Sequence, residues 1–163
     1  MSLATSPMRL SELLTEGRVA VHHDGADGPL DKAKAIHLLA RMLAAGPGSD
    51  PAVVERVLTE REQLQSTGIG EGVAIPHGAL PQLETQFASL LIAPEGLDFA
   101  AIDNLPVNIL FAVITPKRAT GEHLKTLARV SRLLRSKGFR DRLVAAPDAK
   151  AAYSLIATEE GER

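Results

Sequence analysis

Five histidines and no cysteine decide which chemistry this chain can carry. Thiol nucleophiles, zinc–thiolate clusters and disulfide frameworks are excluded, and imidazole and guanidinium groups remain. His77 lies in the run Gly68-Ile-Gly-Glu-Gly-Val-Ala-Ile-Pro-His-Gly78. Pro76 fixes its own φ and holds Ile75 extended, so a strand should end there and present His77 at its exit. Gly78 has no side chain, which would let a phosphate or another molecule's backbone come close. Gly68, Gly70 and Gly72 resemble a phosphate cradle, though an ordinary turn has the same spacing. His123 falls in the first turn of a helix expected to start from an N-cap at Thr120. It sits within about 40° of Leu127, Val130 and Leu134 on that helix. It is either a core histidine with one satisfied hydrogen bond or a group aimed at an anion beside the free N–H groups of the helix start. Arg61 lies about 40° from Val57 on a helix whose apolar stripe is Val53, Val54, Val57 and Leu64. It either snorkels its stem along that stripe or holds a partly desolvated guanidinium for an anion, a task its planar fork suits better than lysine.

The other histidines are less informative. His37 lies near Lys34 and Arg41 on the polar flank of its helix and reads as a solvated surface group. His22-His23-Asp24 could imitate a metal cluster, but adjacent strand residues point to opposite faces and a strand-end turn fits the same residues. No metal site is assigned, and neither GxSxG nor HExxH occurs. A presented histidine nucleophile, a second inward histidine and an inward arginine together describe one site. The chemistry left to it is transfer of an anionic group onto histidine.

These side chains need a scaffold, and 163 residues predict one domain able to bury a core without staples. With 45% hydrophobic and 23% charged residues, the balance is that of a folded globular chain rather than a disordered one. A helical turn is expected at Ser11–Leu14 and a strand at Val19–Val21. Asp31 caps a helix to about Ala45, stopped by Gly46-Pro47, and Asp50-Pro51 opens another to about Gln65. Val73–Ile75, Ala88–Ala93 and Val107–Ile114 are short, apolar and β-rich, and read as buried strands. Helical periodicity returns from Thr120 to about Ser136, then around Phe139–Val144 and Asp148–Ala157. The class is α/β, one layered domain with helices packed on a sheet. No apolar run is long enough to span a bilayer and no signal peptide opens the chain, so a cytoplasmic protein without membrane insertion is expected. Residues 1–7 read as a disordered leader or cloning remnant, with Met8 as a second start.

The net charge of −2 is unevenly spread. No Lys or Arg occurs between Glu62 and Pro116, whereas Lys117 to Arg142 holds nine basic and two acidic residues. Lys125, Arg129 and Arg132 fall at helical spacing on the flank away from the Leu127/Val130/Leu134 stripe. They form either a solvated face or a docking surface for an acidic partner. Nucleic acid is disfavoured, because aromatics are only 3% of the chain and the rest of the surface is acidic.

Four segments together resemble a known family. They are Arg61-Glu62, Ser66-Thr-Gly-Ile-Gly-Glu-Gly-Val-Ala-Ile-Pro-His-Gly78, Ile102-Asp-Asn-Leu-Pro-Val107 and Glu122-His-Leu-Lys-Thr-Leu-Ala128. They resemble the fructose/mannitol-type enzyme IIA domains of the bacterial phosphotransferase system, most of all the single-domain nitrogen-regulatory, PtsN-like branch. The likeness runs from Met8 to Thr158, and the expected domain is 8–158. It implies a mixed β-sheet flanked by helices on both faces. It also implies His77 as the phosphorylated residue, His123 as the second active-site histidine and Arg61 on the phosphoryl group. Ser66, Thr67, Gly68, Gly70 and Gly78 would form a phosphoryl-supporting loop. The implied donor is an HPr-type phosphocarrier charged from phosphoenolpyruvate through an enzyme I, and no cofactor or metal is needed. One nitrogen of His77 must be unprotonated to attack, so the other should donate to a carbonyl or carboxylate. With no permease domain attached, a regulatory role and a regulated protein partner are expected over sugar uptake. The alternatives are a transport IIA that passes phosphate to a separate sugar-specific IIB, and a binding module without phosphotransfer. One departure is Lys117-Arg118, where the nitrogen branch often carries acidic residues.

Overall fold

The structure, a computed structural model, describes residues 9–161; the leader expected over residues 1–7 lies outside them. Two long strands organise it, β5 (Phe87–Leu97) and β6 (Val107–Pro116), numbered after four shorter ones: β1 (Val19–Val21), β2 (Gly68–Gly70), β3 (Val73–Ala74) and β4 (His77–Leu80). Side chains alternate across a strand, so β5 and β6 each feed two cores. Leu91, Leu110, Ala112 and Ile114 pack beneath α3 (Lys32–Ala45) and α4 (Pro51–Leu64). Leu90, Ile92, Ile109, Phe111 and Val113 pack on the other face. That face is covered by α1 (Leu10–Leu14), α5 (Thr120–Leu133), α6 (Lys137–Val144) and α7 (Ala149–Gly161). A short turn of helix, α2 (Asp24–Asp27), follows β1. The result is an α/β domain with a six-stranded mixed sheet and helices on both faces.

The strand order is β1-β5-β6-β3-β2, with β4 also on β6. The β5–β6 pair is antiparallel, while β1 runs parallel to β5 and both β3 and β4 run parallel to β6. Thus β6 is a rail carrying two collinear strands. Val73 and Ala74 pair with Ile109 and Leu110, and His77 to Leu80 pair with Val113 to Pro116. Ile75 and Pro76 form the gap between them. Proline has no N–H to donate, but its carbonyl still accepts the Val113 N–H at 3.0 Å, so the rail is kept across the break.

Three elements near the site differ from the sequence expectation. Two strands, β2 and β4, went unread because glycine and proline punctuate them. Glu71 (φ 58°) and Gly72 (φ 82°) turn β2 back into β3 as a two-residue hairpin, so this stretch is the ordinary turn that the glycine spacing allowed. Helix α5 starts one residue earlier than expected. Ala119 is the N-cap, without a side-chain cap, and its carbonyl accepts the His123 N–H at 3.0 Å. Thr120 is therefore the first helical residue, because the turn that ends β6 is already closed by Ala119 N–H on the Pro116 carbonyl.

Candidate active site

The site is built where β4 leaves its gap. His77 is half-buried, and its Nδ1 lies 2.7 Å from the Ile75 carbonyl oxygen, two residues back across Pro76. A carbonyl only accepts, so Nδ1 carries the proton and Nε2 has the free lone pair. The His123 ring packs against it from the first turn of α5, with centroids 5.4 Å apart and planes inclined at 54°. Burial lowers the His77 pKa below its ordinary value. The Ile75 hydrogen bond and Glu62 work the other way, and the Arg61 charge adds to the lowering. His123 is held down at about 4, first by burial and then by His77. Both rings are neutral at pH 7. His123 Nδ1 is buried without a hydrogen-bond partner. An unpartnered lone pair costs less than an unpartnered N–H, which favours the tautomer with hydrogen on Nε2.

Arg61 acts on His77 from α4, and Gly78 sets how closely that helix lies. A Cβ at Gly78 would stand 2.3 Å from Val57 Cγ1. The open space expected there for an incoming phosphate is thus filled by this chain's own helix. Arg61 is one turn beyond Val57, so the same close approach brings its charge near enough to lower the His77 pKa. One guanidinium nitrogen, Nη1, donates to the Gln65 carbonyl at 2.8 Å. Of the stripe expected on α4, Val54 is buried and Val53 and Val57 are partly so, but Leu64 is 82% exposed. The buried row is instead Val54, Leu58 and Glu62.

The sequence model for the EIIA 2 family of the phosphoenolpyruvate-dependent sugar phosphotransferase system matches residues 14–159. The chain belongs to this family. Among its relatives, the nitrogen regulatory protein of Bradyrhizobium diazoefficiens is 41% identical over 77% of this chain and 82% of its own length. The nitrogen regulatory protein of Pseudomonas aeruginosa is 36% identical over 91% of this chain and 95% of its own. The crystal structure of nitrogen regulatory protein IIA-Ntr from Neisseria meningitidis superposes with a TM-score of 0.80 at 28% identity, covering 90% of this chain and 98% of that one. The mannitol IIA of Escherichia coli shares the fold, with a TM-score of 0.67 at 21% identity over 78% and 90% of the two chains.

In this EIIA 2 chain the loop before His77 is braced from inside. Thr67 gives its N–H and its hydroxyl to the Glu62 carboxylate. The Gly68 N–H goes to Ser66 Oγ, and the Ser66 hydroxyl goes to the Phe99 carbonyl. None of those donors is free for a phosphoryl group. A Cβ at Gly68 would meet Ala101, and Gly70 holds φ 101° beside Asp103, so both glycines serve the packing of the loop. Glu62 is the residue the sequence reading named only within a motif, with no role. Its place eight residues after Val54 and four after Leu58, on the buried row of α4, was the available signal.

Elsewhere, His37 is at the surface, with Nδ1 2.6 Å from a Glu55 oxygen on α4. His22 turns inward to the Gly28 carbonyl (3.1 Å) and Asp24 (3.4 Å), whereas His23 faces Glu95. The stripe of α5 holds, with Val130 and Leu134 buried and Thr126 and Leu133 added to it. Arg129 does not belong to the exposed flank. It forms an ion pair with Glu160 of α7 at 3.0 Å, because the buried face is centred on Thr126, Val130 and Leu133 and puts position 129 at its edge. Lys125 and Arg132 are exposed. No helix among the described residues is long and apolar enough to cross a membrane.

Proposed function

We propose that this EIIA 2 chain is a histidine phosphoryl carrier in which His77 Nε2 accepts the phosphoryl group of a phosphohistidine on an HPr-type donor. The observation that carries this reading is the Nδ1 contact with the Ile75 carbonyl, which leaves Nε2 of a neutral ring as nucleophile. As the Nε2–P bond forms, the donor's N–P bond breaks and its electron pair stays on the donor imidazole; His77 keeps its Nδ1 proton. Such transfer is mostly positioning plus stabilisation of charge on the equatorial oxygens. Arg61 would supply the remaining arms of its fork and His123 its Nε2–H. The phosphotransfer unit is residues 8–158, acting in the cytoplasm without a metal or cofactor.

The downstream role is regulatory, with phosphorylation changing which protein is bound. Support comes from the relatives named nitrogen regulatory protein at 41% and 36% identity. Incubation with phosphoenolpyruvate, enzyme I and an HPr-type protein should add one acid-labile, base-stable phosphate, absent from His77→Ala. Full labelling of that variant overturns the assignment. Onward transfer to a sugar-specific IIB would replace the regulatory role with a transport one.

A further inference from the structure

Glu62 is a carboxylate with 5% of its side chain exposed, beside a site that handles anions. Burying a charge is costly unless it is paired and hydrogen-bonded, and Glu62 is both. Lys32, the first residue of α3, brings Nζ to 3.0 Å from Oε2. The same ammonium stands 4.6 Å from the centre of the Phe99 ring, which helps hold it there. On the other side the carboxylate takes the Thr67 N–H at 2.8 Å and the Thr67 hydroxyl at 2.5 Å. The Thr67 carbonyl accepts the Ile75 N–H at 3.0 Å. The Ile75 carbonyl accepts His77 Nδ1–H at 2.7 Å. A line of contacts therefore runs from Lys32 through Glu62, Thr67 and Ile75 to the imidazole, crossing the backbone at Thr67 and Ile75.

We propose that Glu62, held by Lys32, is a positioning residue that fixes the orientation and the tautomer of His77 by placing the Thr67 and Ile75 backbone and by its own charge. The inference rests on the phosphocarrier reading for its consequence in transfer, but not for its effect on the free protein. The N–H and the C=O of one residue belong to different peptide groups, so the line carries position, while the carboxylate charge acts on the ring through space. The anion at the head anchors Thr67 by its N–H and hydroxyl, which fixes where that residue's carbonyl points. The Ile75 N–H binds it, and that sets the Ile75 carbonyl against Nδ1–H. The proton stays on Nδ1 and the lone pair stays on Nε2. When Nε2 takes a phosphoryl group without losing the Nδ1 proton, positive charge develops on the ring, and the Ile75 carbonyl and the Glu62 charge stabilise it. Arg61 and Glu62 are adjacent in sequence and act oppositely on His77, the arginine lowering and the glutamate raising its basicity. His123, the third group facing the ring, is neutral at pH 7.

A simple bracing role for Glu62 would leave the imidazole unchanged once the loop is in place, so the test reads the imidazole. Lys32→Met with Glu62→Gln removes both charges together and keeps an acceptor for the Thr67 N–H; Lys32→Met alone and Thr67→Val are companion variants. Nitrogen-15 NMR of unphosphorylated His77 gives its tautomer and pKa without any phosphotransfer. In the folded double variant the Nδ1–H population should fall and the pKa should drop. Thr67→Val, which keeps the amide, should show a smaller shift in the same direction. Transfer from the HPr-type donor should lose on the order of tenfold in kcat with KM unchanged. A folded variant, double or Lys32→Met, with the wild-type tautomer and pKa overturns the proposal. So does an unfolded double variant accompanied by wild-type imidazole signals in both single ones. Loss of labelling in wild type itself would instead refute the phosphocarrier reading and leave the imidazole measurement standing.

Discussion

His123 gives the molecule a pH-dependent stability whose sign and size can be worked out. Burial and then His77 hold its pKa at about 4, against an ordinary 6.5. Between these two values the unfolded chain binds a proton at this position that the folded chain refuses. Stability contributed by His123 is therefore fully present above pH 6.5, is lost as the pH falls toward 4, and stays lost below that. At about 1.4 kcal/mol per unit the full difference is about 3 kcal/mol. The ring is only half-buried, and solvent screening reduces this to about 1–2 kcal/mol. His77 and the carboxylates titrate in overlapping ranges, so the informative quantity is a difference between two proteins. Urea unfolding of the wild type and of His123→Gln should be measured at intervals from about pH 7 to about pH 4.5. The wild type should lose about 1–2 kcal/mol more than the variant across that range. Parallel losses in the two proteins, or an NMR titration of His123 centred near its ordinary value, would refute the reasoning.

Three further outcomes are expected. Arg61→Lys keeps the charge but not the fork, and phosphoryl transfer should slow by roughly ten- to a thousandfold with an unchanged melting temperature. Gly78→Ala places a methyl against Val57 Cγ1 and must push α4 off β4, so it should cost about 1–3 kcal/mol and slow transfer by moving Arg61. Thermal melting and labelling rates check both variants. Glu160 accepts the Leu10 and Ser11 N–H groups at the start of α1 and also pairs with Arg129, so Glu160→Gln should lower stability by about 1–3 kcal/mol while leaving the phosphorylation rate of the folded protein unchanged. A slowed rate at full stability would contradict that purely structural role.

What could be read from the sequence followed the strength of each local signal. Asp31 and Asp50 cap α3 and α4 as their side chains require, each accepting a backbone N–H within the first turn. The apolar runs of β5 and β6 are the buried strands they appeared to be, longer at their ends because edge contacts extend the pairing to Leu97 and Pro116. The break before His77 follows from Pro76, but that His77 opens a second strand on β6 rather than ending the first does not. The reach of Glu62 into the loop does not, since its partners Thr67 and Lys32 come from different elements and no periodicity relates them. Gly78 misled for a similar reason. Missing side-chain volume signals that something comes close, and only the tertiary arrangement says that it is Val57 rather than a ligand.

The charge asymmetry along the chain has the same character. Nine basic residues between Lys117 and Arg142 read as one surface only while their partners are unknown. In the folded domain Arg129 pairs with Glu160, Lys137 with Asp141, Arg140 with Glu71, and Arg142 with Glu159. Three of those four carboxylates lie outside the basic segment, on α7 and in the β2–β3 turn. Much of the positive run thus ties α5 and α6 to α7 and to the β2–β3 turn. On α5 the exposed cations are Lys125 and Arg132, one face of the helix whose first turn carries His123. On the phosphocarrier reading proposed above, a partner that senses a phosphoryl charge on His77 through this helix meets two cations there rather than nine. Exposed pairs with such side chains contribute little to affinity and more to the rate of encounter. Reversing Lys125 and Arg132 should therefore change the salt dependence of association before it changes the phosphorylated state's stability.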